Sequence, residues 1–403
     1  MRWCAAVLLL GGCASASVEN DEALIARARA IHERVLTIDT HDDIPFNYAT
    51  EGMNACDSTR LQVDIPKTRA GGLDVVFLIV YVGQGPRTPE GYARAREDAL
   101  TKFNAIHRMT GEMCPADIQL AHSADQVAAI ARTGKRVAVI GIENGYVIGR
   151  DLGLIRDYHQ RGARYMTLAH GAHNDISDSA TPAEGEHGGL STFGEQVVTE
   201  LNRVGMMVDV SHISKAAMLH ALRVSRLPVI ASHSSTRALA DHPRNLDDEQ
   251  LRALKRNGGV MQTVAFSAYV KIQPPERLQA IQALRERMGI AGAQSLRDLS
   301  AQRRAEYEQA LAEIDRKWPR ATVRDFVDHI DHAVRLIGID HVGISSDFDG
   351  GGGVAGWNSA AETLNVTVEL VRRGYSEAEI AKLWGGNLLR VWRAVERGAQ
   401  TSQ

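Results

Sequence analysis

Long apolar runs are missing from this chain. No hydrophobic stretch reaches the roughly 20 residues that a helix needs to cross a bilayer, which excludes a membrane-spanning helix. Basic clusters are missing too. Its 46 Lys and Arg are offset by 49 Asp and Glu, for a formal net charge of -3, and no run reads as a nucleic-acid patch. Cysteine is scarce: four in 403 residues. Two of them, Cys4 and Cys13, lie in the first 16 residues. Cys56 and Cys114 remain, an even pair that forms a candidate disulfide in an exported chain. Neither lies near a cluster of metal-ligand residues, so thiolate ligation is not expected. No internal repeat, low-complexity segment or interdomain linker divides the sequence, leaving one domain over residues 21–398.

The N-terminus stands apart. Arg2 precedes an apolar run from Trp3 to Leu10, followed by Gly11-Gly12-Cys13-Ala14-Ser15-Ala16. This reads as a secretory signal peptide over residues 1–16 with an A-x-A cleavage site after Ala16. The alternative is a bacterial lipoprotein signal, Leu10-Gly11-Gly12-Cys13, with a lipid anchor on Cys13. Either predicts export, to the periplasm or outside the cell.

From the amphipathic helix Asp21 to Arg34 onward, strand and helix patterns alternate. Apolar β-rich runs occur at Val35–Thr40, Leu73–Val82, Arg136–Ile142, Ala163–Leu168, Gly205–Val210, Pro228–Ser232, Gly259–Phe266 and His341–Ser345. Most are continuously apolar, as parallel strands covered on both faces are. Helical patterns lie between them, with capping residues such as Ser214 and the cluster Asp247-Asp248-Glu249 at their starts. Eight strands each followed by helix predict an α/β fold, a closed (β/α)8 TIM barrel of the metal-dependent-hydrolase type. An open doubly wound sheet would gather ligands at one switch point. Here the polar strand ends are spread around the sheet, and a barrel brings them to one mouth. Ser267 to Lys317 reads as a helical excursion between strands seven and eight, with a helix over Leu296–Lys317.

The first strand runs into His41-Asp42-Asp43. Successive strand side chains point to opposite faces, so His41 and Asp43 project together and can grip one divalent metal. A lone His-x-Asp is usually a solvated strand end. Here later strands end in the same residue types. The third ends at Glu143, whose two carboxylate oxygens can bind one ion each. The fifth and sixth end in Ser211-His212 and Ser232-His233. Together these give one metal His41, Asp43 and Glu143, and a second Glu143, His212 and His233. Nitrogen and oxygen donors with an open position on each ion indicate catalytic zinc, two Zn2+ per chain. Such ions sit about 3.5–4 Å apart and share a water whose pKa falls toward 7, making a bridging hydroxide the nucleophile.

The eighth strand ends Ser345-Ser346-Asp347-Phe348-Asp349 before the glycines Gly350–Gly353. Asp347 is placed to take the proton from the bridging water and hand it to a leaving amine. Asp349 is its rival, and is read as holding the loop. His170, after the fourth strand, is assigned to the developing oxyanion. His173, Asp175 and Asp178 farther along that loop read as loop polars. Arg237 and Arg244 both qualify to fork onto a substrate carboxylate. Asp325, Asp328, His329 and His332 have ligand-like spacing, but they lie on a helix with the apolar face Phe326, Ile330, Ala333, Val334 and Ile337. They are expected to be surface polars of the outer ring.

From about Val35 to Glu396 the chain resembles the membrane (renal) dipeptidases, peptidase family M19, as a bacterial exported member. The matching stretches include His41-Asp42-Asp43-Ile44-Pro45, Arg69-Ala70-Gly71-Gly72, Val208-Asp209-Val210-Ser211-His212, Ser232-His233-Ser234-Ser235, His242-Pro243-Arg244-Asn245 and Asp347-Phe348-Asp349-Gly350. The resemblance implies a dizinc barrel peptidase that removes the C-terminal residue of dipeptides. It places the ligands on His41, Asp43, Glu143, His212 and His233, and gives the substrate carboxylate to Arg244. It assigns the substrate carbonyl to His170, proton transfer to Asp347, and implies a homodimer. The motif often has Asn where this chain has Asp42, and Gly-Gly where it has Ser345-Ser346. A second reading keeps the dinuclear site but turns it on another small amide or lactam, for which Arg244 would be idle. A non-catalytic binding protein would have lost a ligand or the proton shuttle, and every such position is filled.

Overall fold

A computed structural model of the protein describes residues 21–290 and 299–400. Its strands are β1 (Ile38–Asp43), β2 (Val75–Tyr81), β3 (Ile118–Leu120), β4 (Arg136–Glu143), β5 (Ala163–Thr167), β6 (Met207–Asp209), β7 (Ile230–Ser234), β8 (Val260–Val264) and β9 (Val342–Ser345). All pair in parallel, in the order β1-β2-β4-β5-β6-β7-β8-β9, and short β3 pairs with the start of β4. The ring closes just past β9, where the Asp43 backbone N–H donates to Phe348 O at 2.9 Å. With helices between the strands this is the (β/α)8 barrel that the alternation predicts. Two details differ. β3 has no counterpart among the expected strands. β1 begins three residues later than expected and runs through Asp43, so the His-x-Asp pair lies within the strand rather than beyond it.

Period-two alternation sorts the core into two layers. Val75, Phe77 and Ile79 of β2 pack with Val137, Val139, Tyr165, Met207, Ile230 and Val260 inside the barrel, where Leu388 and Trp392 of the C-terminal helix Asn387–Gln400 join them. The intervening Val76, Leu78 and Val80 belong to the larger apolar layer shared with the surrounding helices. Several helices start as the sequence indicates. Ser214 caps Lys215–Val224, and Asp247 forms a reciprocal capping box with Gln250 at the start of Asp248–Asn257.

The excursion before β9 is helical: Ser267–Val270, Pro275–Arg287 and Ala301–Lys317. The last two share a small core of their own around Leu284, Ile290 and Tyr307. The expected helix start at Leu296 lies outside the described residues, as do residues 1–16 and Cys13. Cys56 and Cys114 are joined in a disulfide, with Cα atoms 5.8 Å apart. Among the described residues no helix is long and apolar enough to cross a membrane.

The helix Val323–Ile337 lies outside the barrel as expected, but one of its polar residues is not a surface residue. His329 is buried; its Nδ1 accepts from the Thr236 N–H at 3.1 Å, and its Nε2 lies 2.8 Å from Val270 O. The reason is its spacing. Residues 326, 329, 330, 333 and 337 form one helical stripe, so His329 sits on the apolar face. Asp325 caps the helix, Asp328 pairs with Arg373, and His332 pairs with Asp248.

Candidate active site

Along β4, Val137 and Val139 point into the barrel, and Gly141 and Glu143 share that face. Any Cβ at 141 would overlap the Tyr165 ring. The glycine therefore lets that ring lie against β4. The Tyr165 hydroxyl donates to Thr40 O (3.0 Å), so toward His41 Nδ1, 2.9 Å away, it is the acceptor. That fixes the ring proton of neutral His41 on Nδ1 and leaves the lone pair on Nε2. His41 Nε2 is fully buried, has no hydrogen-bond partner, and faces three carboxylates: Glu143 Oε2 at 3.5 Å, Asp43 Oδ2 at 3.8 Å and Asp347 Oδ1 at 3.9 Å. An orphaned lone pair among carboxylates fits a cation.

The opposite oxygen of Glu143 meets a different group. Oε1 is 2.9 Å from His212 Nε2 and 3.3 Å from His233 Nε2. Behind His233, Ser232 Oγ lies 2.7 Å from Nδ1 and donates to Asp209 Oδ2, also at 2.7 Å. The backbone N–H groups of Ser232 and Ser211 bind Asp209 Oδ1 at 2.8 and 3.1 Å. This buried carboxylate again holds the imidazole with Nε2 as the free acceptor. Among the described residues, three groups of donors lie close enough to hold an ion: His41 with Glu143 and His233, Glu143 with His170 and His212, and His41 with Asp43 and Asp347.

Strained turns aim these side chains. His212, Asp347 and Asn144, the residue after Glu143, have φ of +67°, +59° and +80°. Such left-handed conformations are costly for non-glycine residues and cluster at functional sites. A Cβ at Gly350 would overlap the carboxylates of both Asp347 and Asp43. Asp349, in contrast, accepts from the backbone N–H groups of Gln62 and Val63 and holds the loop, as expected.

Burial disfavours a charged Glu143, yet the imidazoles of His41, His170, His212 and His233 outweigh it and hold its pKa well below the ordinary range. Burial also opposes protonation of His41, but Glu143, Asp43 and Asp347 raise its pKa to about 9. A field that draws a proton to Nε2 draws a divalent cation there too. Burial, then Arg244 and the neighbouring His170 ring, lower the pKa of His212 and keep it neutral; burial and His41 do the same for His233. Neutral imidazoles are what a metal requires. Burial pushes Asp347 well above the carboxylate range, with His41 partly offsetting it. Burial and the neighbouring Asp39 raise the pKa of Asp42 likewise.

Asp43, Glu143, His170, His212, His233 and Asp347 floor a cavity of about 360 Å3 with Tyr81, Lys102, Phe266 and Tyr269 in its walls. Arg244 lines it too. That residue is buried, donates from Nη2 to His233 O at 3.2 Å, lies 5.4 Å from the Tyr269 ring, and leaves Nε without a partner. Arg237 is half-exposed and paired with Asp241 at 2.6 Å. His170 is 3.9 Å from Glu143 Oε1 and packs on the Tyr81 and His212 rings. The structure thus brings together His41, Asp43, Glu143, His170, His212, His233, Arg244 and Asp347, and leaves out Arg237 and Asp349. His173 and Asp178 stay within their loop, where Asp178 accepts three backbone N–H groups, and Asp175 accepts from the Tyr92 hydroxyl at 2.6 Å. Sequence reasoning missed Tyr81, Lys102, Tyr165, Asp209, Phe266 and Tyr269. Tyr81 had a signal, since it continues the inward alternation of Val75, Phe77 and Ile79.

Carboxylates and imidazoles converging from six strand ends on the mouth of a parallel barrel define a metal-dependent hydrolase of the (β/α)8 class. The family model described as membrane dipeptidase (peptidase family M19) matches residues 25–403. The chain is 33% identical to dipeptidase tcpJ of Claviceps purpurea (strain 20.1) over 339 residues, 83% of this chain and 69% of that protein. It is also 33% identical to dipeptidase aclJ of Aspergillus oryzae (strain ATCC 42149 / RIB 40), over 84% of this chain and 71% of that one. The crystal structure of the probable dipeptidase PvdM from Pseudomonas aeruginosa superposes with a TM-score of 0.82 at 35% identity, covering 94% of this chain and all of that one. The chain belongs to peptidase family M19, the membrane dipeptidases.

Proposed function

We propose that the protein is a dizinc dipeptidase that cleaves the single peptide bond of dipeptides with a free C-terminal carboxylate. One observation carries this reading: the two oxygens of Glu143 face two different sets of donors. His41 Nε2 lies beside Oε2, and the Nε2 atoms of His212 and His233 lie beside Oε1. Asp43 completes the first set. Two zinc ions held in this way would lower the pKa of a shared water and polarise the peptide carbonyl.

The chain's own residues supply the rest. Arg244 offers a buried guanidinium to the C-terminal carboxylate, a fork that matches its geometry. His170 donates to the carbonyl oxygen as charge develops there. Asp347 takes the proton of the attacking water and passes it to the departing amine. Buried Arg244 favours a dipeptide over a lactam or simple amide that has no carboxylate, for which this guanidinium would be idle. Turnover of a panel of L,L and L,D dipeptides, each with and without a chelator, tests the assignment. No cleavage of any dipeptide by zinc-loaded protein would overturn it.

Export belongs to the same reading. The Cys56–Cys114 disulfide supports an oxidising compartment, in keeping with the signal at residues 1–16 and its lipoprotein alternative at Cys13. Mass spectrometry of protein from the native host distinguishes a mature terminus after Ala16 from an acylated Cys13; an intact Met1 overturns both. A homodimer, implied by the family resemblance, is tested by sedimentation.

A further inference from the structure

Among the described residues, two basic side chains line the active-site cavity, Arg244 and Lys102. The mechanism uses the first and leaves the second without a task. Lys102 is 4% exposed and comes from the helix Pro89–Arg108 that follows β2. Its Nζ lies 5.1 Å from the ring centre of Phe46 and 5.5 Å from that of Tyr81. Tyr81 ends β2, is in register with Glu143 of β4, and packs against His170 with ring centres 4.7 Å apart. The Lys102 amine therefore lies within reach of two aromatic faces beside the proposed reaction centre.

Barrel topology places the two cations. Arg244 follows β7, and Lys102 follows β2. In the strand order these are four steps apart in a ring of eight, and so on opposite sides of the mouth. A dipeptide whose C-terminal carboxylate sits on Arg244, with its scissile carbonyl over Glu143, must extend its N-terminal residue toward the wall of Tyr81 and Lys102. We infer that Lys102 forms a second anion subsite, which selects dipeptides whose N-terminal residue carries a side-chain carboxylate, glutamate or aspartate. This inference rests on the dipeptidase reading and adds the substrate class to it. Lys102 is a specificity residue: it meets the side chain of the substrate and takes no part in bond breaking.

The test compares kcat/KM of the zinc-loaded, full-length protein for Glu-Ala, Gln-Ala and Lys-Ala. Glu-Ala and Gln-Ala have nearly the same shape and differ in charge. A charge-assisted contact predicts a preference for Glu-Ala over Gln-Ala of roughly 10- to 100-fold, with Lys-Ala the poorest of the three. In Lys102→Met that ratio falls toward one, Lys102→Arg retains it, and Lys102→Glu favours Lys-Ala. A purely structural role would lower all three substrates together and leave the ratios unchanged. A wild-type ratio of one or below, or a ratio unchanged in Lys102→Met, overturns the inference while Ala-Ala is still cleaved. Failure to cleave these four and every dipeptide of the L,L and L,D panel overturns the dipeptidase reading and this inference with it. Should Lys102→Met fold poorly, the wild-type ratio and Lys102→Arg still decide the matter.

Discussion

His212 Nε2 and His233 Nε2 lie 2.7 Å apart, and both face the same oxygen of Glu143. Burial keeps both rings neutral, and the Ser232 contact leaves the His233 lone pair on the facing nitrogen. One proton at most can sit between them. A divalent cation satisfies both nitrogens and the carboxylate at once. The protein is therefore expected to carry two zinc ions per chain and to lose activity on dialysis against a chelator. Its unfolding temperature should fall with metal loss, because a ligand bound to the native state alone stabilises it by mass action. Elemental analysis and thermal unfolding of the dialysed and zinc-restored protein check this. Glu143→Gln should weaken both sites together. Full activity with one ion would contradict the bridging role.

Asp209 touches no substrate-facing surface, yet it holds Ser232 and, through it, the His233 ring. Asp209→Asn should weaken zinc binding by roughly 10- to 100-fold, the usual effect of losing a group that orients a metal-binding imidazole. Competition with a chromophoric chelator reads this directly. Unchanged affinity would mean that the barrel packing alone sets the ring.

How much of this was legible in the sequence depended on the direction of the chain. His41, Asp43, Glu143, His212, His233 and Asp347 all lie at strand ends, where period-two alternation and a closed barrel leave one place for them to point. Asp209 was printed beside His212, but its role needs the serine of the neighbouring strand. Tyr165 reaches His41 because Gly141, on the adjacent strand, has no side chain. Lys102 is one polar residue on a 20-residue helix, and sequence cannot say that its ammonium reaches back over β2. His329 was misjudged because its charge pattern was weighed above its place on the apolar stripe.

His329 gives a prediction about acid stability. Its Nδ1 accepts from the Thr236 N–H, so protonation there breaks that bond. Burial, opposed by the Val270 carbonyl and by Asp328, lowers its pKa below the ordinary 6.5. The unfolded chain then binds the proton more readily than the native state between the lowered value and about 6.5. The contribution is complete above that window, is lost as pH falls through it, and stays lost below. Urea unfolding at pH 7.5 and 5.5 should show a smaller pH effect in His329→Gln than in the wild type. Equal pH effects would assign the acid sensitivity to other groups.

Asp347 and Arg244 separate chemistry from binding. Asp347 Oδ1 is 3.9 Å from His41 Nε2, close enough to act as a ligand or as a proton carrier. As the proton carrier, Asp347→Asn should retain two zinc ions and bind dipeptide, with turnover lowered by roughly 10²–10⁴-fold, the range for losing a positioned acid–base group. As a ligand, the same change should lower zinc content, and the assignment would be wrong. Asp349→Asn should instead loosen the loop at Gln62 and Val63, with turnover falling less than in Asp347→Asn. Arg244→Ala removes a charge-assisted hydrogen bond to the C-terminal carboxylate, about 1.5–3 kcal/mol, and should raise KM more than it lowers kcat. Zinc content measured beside kcat and KM in all three variants tells these cases apart. If Asp349→Asn is inactive while Asp347→Asn keeps near-full turnover, the proton passes through the second aspartate.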